Sequence, residues 1–78
     1  MPTVLRSGAY RFFFYSNEGT EPQHIHVQEG RNLAKFWLEP VLLAASKHFK
    51  AHELSRLERI VTDHQNQLLE AWNEFFNP

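Results

Sequence analysis

His24 and His26 are the residues of this 78-residue chain whose type and spacing most readily do chemistry. On a β-strand, residues two apart point to the same side, which places the two side chains about 6.6 Å apart at the backbone. Two neighbouring imidazoles suit three tasks. They can donate nitrogens to one divalent metal ion, which then needs a third and usually a fourth ligand. Glu21, Glu29, His48 and His52 are the available donors, but they form no legible ligand set, so no metal ligand and no cofactor is assigned. The pair can also act as general acid and base, with Arg11, Arg31 or Lys35 holding a phosphate, as metal-independent ribonuclease chemistry requires. Or the histidines can be structural, each bonded to backbone or to a carboxylate, which is the commoner role of an isolated His-x-His.

Other chemistry-bearing residue types have simpler readings. His64 falls on an apolar helical stripe, where a core or border histidine is expected rather than a ligand. Trp37, Trp72, Phe75 and Phe76 could form an aromatic platform, but the need of a short chain for core makes packing the stronger expectation, and Tyr10 and Tyr15 are read the same way. The only glycines, Gly8, Gly19 and Gly30, each stand at an expected turn, and no phosphate-cradling loop or nucleophile elbow is present.

The histidines depend on strands for their placement. Gly8-Ala9 separates an apolar stretch at Thr3 to Leu5 from the aromatic run 10–15, and the two read as paired strands. Turn formers fill 16–22. His24 to Gln28 and Leu33 to Leu38 then flank Glu29-Gly30-Arg31-Asn32 as a hairpin. The second arm does not alternate cleanly, which leaves the faces of Lys35 and Trp37 open. Residues 40–46 suit a strand by length and a helix by Pro40 and the alanines. From Ala51 onward Leu54, Leu57, Val61, His64, Leu68, Trp72 and Phe75 recur at three- and four-residue steps. Charged residues such as Glu53, Arg56, Arg59, Asp63, Glu70 and Glu74 occupy the other side, so one long amphipathic helix is expected. The expected fold is α+β: an antiparallel β-meander of four to five strands followed by that helix, packed on one sheet face. Phe12-Phe13-Phe14 puts apolar groups on both sides of the sheet, so the second face invites a homodimer or a protein partner.

Bulk properties narrow the function classes. The chain has room for one core, so residues 1–78 are read as a single domain. It has no cysteine, which excludes disulfides and thiolate metal sites. The net charge is -1, with four basic and four acidic residues before Pro40 and four basic and five acidic after it. That balance does not support tight nonspecific nucleic-acid binding, although a local patch remains compatible with it. No apolar run approaches a membrane span and the N-terminus lacks a signal-peptide core, so a cytoplasmic protein is expected.

The order of Tyr10-Arg11-Phe12-Phe13-Phe14-Tyr15-Ser16-Asn17-Glu18-Gly19, Glu21-Pro22-Gln23-His24-Ile25-His26-Val27 and the closing Leu68-Leu69-Glu70-Ala71-Trp72-Asn73-Glu74-Phe75-Phe76 resembles the prokaryotic domain-of-unknown-function family 4160. Pro22 followed by His24-x-His26 is the most specific part of the likeness. Two positions depart from the family pattern: Gln23 stands where a second proline is usual, and His48 where glycine is frequent. The resemblance implies an extended conformation for 40–46. It also implies a toxin-antitoxin-like operon in which such proteins sit beside a partner of domain-of-unknown-function family 2442. The expected function is therefore binding of a cognate protein, with His24 and His26 at or near the functional surface. A ribonuclease-like enzyme and a metal-binding module are the alternatives.

Overall fold

The computed structural model describes residues 3–77. Five strands, β1 (Thr3–Ser7), β2 (Tyr10–Phe13), β3 (His24–Glu29), β4 (Asn32–Leu38) and β5 (Val41–Lys47), precede two helices, α1 (Ala51–Asp63) and α2 (Gln65–Phe76). The strands pair in sequence order, each antiparallel to the next. This meander follows from short turns. Gly8 and Gly30 adopt φ near +59° and +57°, a region open to glycine at no steric cost, and each starts a tight hairpin connection.

Alternation along the strands sorts the side chains onto two faces. Phe12, Ile25, Val27, Ala34, Phe36 and Leu38 point to the helices and join Leu57, Val61, Leu68 and Trp72 in the core. Their neighbours Arg11, Phe13, His26, Lys35 and Trp37 point the other way. The irregular pattern of β4 is thereby resolved: buried and half-buried residues alternate from Leu33 to Leu38, with Lys35 and Trp37 on the open face. Residues 41–47 are a strand, with Pro40 in the turn that precedes it, as the family resemblance implied.

The expected single long helix is two helices. His64 ends α1 and begins α2, with its backbone at φ -111° and ψ 16°. Its amide donates to the Ile60 and Val61 carbonyls and its ring Nδ1–H to the Ile60 carbonyl at 2.8 Å, satisfying groups that a helix end would leave unpaired. One residue later the Gln65 side-chain amide donates to the Leu38 carbonyl at 2.6 Å, docking the start of α2 on the end of β4. The buried residues Leu57, Val61, Leu68 and Trp72 keep helical phase across the break, which is why the apolar pattern reads as one helix. The stripe ends differently as well: Phe75 is exposed at 39 %, and its neighbour Phe76 packs against the core instead.

Candidate functional site

The aromatic run leaves the sheet after Phe13, so Phe14 and Tyr15 belong to a loop that runs to Gln23. Phe14 anchors that loop in the core, 5.4 Å from Trp72 between ring centroids. The end of α2 anchors it a second time, with the Gln23 amide donating to Asn73 Oδ1 at 3.3 Å and the ring of Phe76 lying across Gly19. Loop and helix together bring Glu18 to the start of β3.

There Glu18 meets both histidines. A single oxygen, Oε1, lies 2.9 Å from His24 Nε2 and 2.7 Å from His26 Nε2. The imidazoles are perpendicular, with centroids 5.0 Å apart. His24 is fully buried, enclosed by the loop, Trp37 and Trp72. His26 keeps an exposed edge and packs between Phe13 and Tyr15, at 5.5 and 4.6 Å.

His24 has an acceptor at each nitrogen: Nδ1–H donates to the Pro22 carbonyl at 2.9 Å, while Nε2 faces the Glu18 carboxylate. A neutral imidazole carries one N–H and satisfies only one of these acceptors. The second contact requires a further proton or a cation shared between Nε2 and the carboxylate. One ligand atom from each of Glu18, His24 and His26 lies within 4.8 Å of the other two. The proton balance of the cluster is set by competing effects. Burial pushes the Glu18 carboxyl up, but hydrogen bonds from His24 and His26, with their charges, hold it below the ordinary carboxylate value. Burial also pushes the His26 imidazole down, further than contact with Glu18 raises it, and the charges of His24 and Lys35 add to the lowering.

The residues expected around the histidines fare differently. Lys35 is the cross-strand neighbour of His26; its ammonium pairs with Glu21 at 2.8 Å and sits 4.6 Å from the centre of the Trp37 ring. Arg11 lies on the same face but is occupied, donating to Thr3 Oγ1 and Gln28 Oε1 and lying 4.6 Å over the Phe13 ring. Arg31 is exposed in the β3–β4 turn, at the end of the hairpin remote from His24. Among the described residues the group's third donor is Glu18, in place of Glu21, Glu29, His48 or His52. In the sequence Glu18 is one polar residue in a turn-rich stretch. Its only mark is the following glycine, whose significance lies in a contact with Phe76 that no local pattern encodes. Beside the cluster, Phe13, Tyr15, His26, Leu33, Lys35 and Lys47 line an open depression of about 270 Å³.

An antiparallel five-stranded meander with helices on one face and a His-x-His at the start of its central strand defines an α+β class of small domain. The chain belongs to the domain of unknown function DUF4160, whose family profile matches residues 9–73. No curated protein and no solved structure matches it.

Proposed function

We propose that this domain is a metal-binding module in which Glu18, His24 and His26 hold one divalent transition-metal ion. The observation that carries this reading is His24, with its Nδ1–H on the Pro22 carbonyl and its Nε2 aimed at the Glu18 carboxylate. A backbone carbonyl on one imidazole nitrogen is the usual device for presenting the lone pair of the other to a metal. Two imidazoles and one carboxylate form a donor set suited to Zn²⁺ or Fe²⁺. Three protein ligands leave coordination positions free, and the exposed edge of His26 opens onto the depression beside it. Such an arrangement fits a metal that exchanges a water or a substrate group, in contrast to a closed structural site. The test is elemental analysis of protein purified without a histidine tag or chelator, followed by calorimetric titration of Zn²⁺, Mn²⁺ and Fe²⁺ into the metal-free form. One equivalent in the parent and none in His24→Ala or Glu18→Ala supports the site; absence of binding of all three ions rejects it.

A second reading, binding of a cognate protein within a toxin-antitoxin-like operon, draws on β5. This edge strand presents Leu42 and Leu43 at 55 % and 43 % exposure, and an uncovered apolar edge is a template for strand addition by a partner or by a second copy. Co-expression with a family 2442 protein is the test: a complex that survives gel filtration and is lost in Leu42→Lys supports it. Metal-independent acid–base catalysis has less support. His24 is fully buried with both nitrogens engaged, so only His26 has an edge toward solvent.

A further inference from the structure

The balanced charge of the whole chain conceals a separation between its two sides. The helices carry Glu53, Glu58, Asp63, Glu70 and Glu74 against Arg56 and Arg59. On the open sheet face the register instead aligns Arg6 with Arg11, Arg11 with Gln28, Gln28 with Leu33 and Leu33 with Lys47. One row across all five strands therefore has cations at both ends, about 19 Å apart. Lys35 stands in the next row, between His26 and Ala45. The nearby carboxylates are already occupied, Glu18 by the histidines and Glu21 by Lys35. Alternation sends Glu29 to the opposite side, with Ile25 and Val27.

Between these cations the face is apolar, with Tyr15 as its exposed ring; Phe13 is buried beneath Arg11 and His26. The depression of about 270 Å³ has Phe13, Leu33 and Ala45 in its lining and Tyr15 on its rim, 38 % exposed. A planar ring entering it would meet apolar floor and the Tyr15 ring, while phosphates on either side would meet Lys47 and Arg6, Lys35 being paired with Glu21. We propose that the open face of the sheet binds single-stranded nucleic acid, with an unpaired base in the apolar depression against the Tyr15 ring and the backbone along the row of cations. Charge complementarity favours an anionic polymer, and the exposed Tyr15 ring beside the apolar floor favours one with exposed rings over an acidic peptide. The inference goes beyond the metal site and does not need it.

The experiment is fluorescence anisotropy with a labelled single strand of about ten nucleotides, as RNA and as DNA of the same sequence, at about 50 mM salt. EDTA is present throughout, so that a failed metal reading leaves this result intact. Saturable binding is expected, with the logarithm of affinity falling against the logarithm of salt by about 0.7 for each phosphate contacted. Lys47→Glu and Arg6→Glu, at exposed positions at opposite ends of the row, should each weaken binding about tenfold or more and flatten the salt slope. Arg56→Glu on the helical side should leave binding unchanged. A preference between RNA and DNA identifies the natural strand, and either result supports the proposal. Absence of binding at about 100 μM protein would overturn it, being weaker than ordinary nonspecific affinity. So would equal loss in Arg56→Glu, equal binding of a duplex of the same sequence, or displacement by polyglutamate at equal charge concentration.

Discussion

The ring of Phe76, at the end of α2, lies so close over Gly19 that a Cβ there would stand 2.8 Å from Cδ1. Glycine at 19 thus lets the last turn of the helix press on the loop that carries Glu18. Gly19→Ala is expected to push Phe76 or the loop aside, at a cost of about 1–3 kcal/mol for the displaced packing. Urea unfolding should show the loss. The nitrogen-15 and proton resonances of the His24 and His26 rings should move as Glu18 is displaced. Unchanged ring signals would mean that the loop is held without this contact.

Glu18 itself supports the fold through the buried imidazole. Glu18→Leu leaves Nε2 of the fully buried His24 without its partner, and an unsatisfied buried polar group costs about 1–3 kcal/mol. Glu18→Gln retains an amide oxygen and should lose less. Chemical denaturation of both variants in EDTA separates this structural role from any metal. Parent-like stability of Glu18→Leu would show that the carboxylate does not hold the histidines.

Acid should destabilise the protein through both His26 and Glu18. His26 is held below the ordinary imidazole value of 6.5, so on acidification the unfolded chain takes up its proton first. Stability is therefore greatest above pH 6.5 and declines as pH falls toward the folded-state value. Glu18 is held below 4.5, and the stability it adds is complete above that value and disappears as pH falls through its folded-state value. Both contributions have the same sign. The urea midpoint of the metal-free protein should be flat above 6.5 and fall below it, with the decline that begins at 6.5 reduced in His26→Gln. A midpoint that rises on acidification would contradict the proton balance described for the cluster.

His48 has φ 73°, in the left-handed region, at the turn between β5 and α1. A residue with a Cβ pays about 1–2 kcal/mol there, while glycine loses about 0.5–1 kcal/mol more chain entropy on folding. His48→Gly is expected to stabilise the domain by about 0.5–1 kcal/mol, a rise of a few degrees in Tm, whereas His48→Ala should have little effect. A lower Tm for the glycine variant would show that the His48 side chain contributes more than its backbone costs.

Much of this molecule is local, and what is local was legible. The period of two places His24 beside His26 whatever surrounds them, and Gly30 with the polar residues beside it makes a hairpin of β3 and β4. The period of 3.6 identifies the buried stripe from Leu57 to Trp72. Residues 40–46 were ambiguous because a short apolar run satisfies either period, and only pairing with β4 decides for a strand. The helix break escaped for a related reason: the stripe keeps its phase through His64, and the turn there depends on Gln65 reaching the Leu38 carbonyl, a partner far away in the chain.

The site divides along the same line. Residue types and strand periodicity determined by themselves that two imidazoles share one side of β3. Tertiary structure alone decided that Glu18 joins them, because the loop conformation rests on Phe76 and Asn73 of a helix that meets the loop across 50 residues of chain between Gln23 and Asn73. It alone decided that Lys35 stands beside His26 while Arg31 does not, and that the cations of β1, β2, β4 and β5 gather on one face. Register is a relation between strands. A one-residue slip would send every side chain of a strand to the other side, and no single strand carries that information in its own sequence.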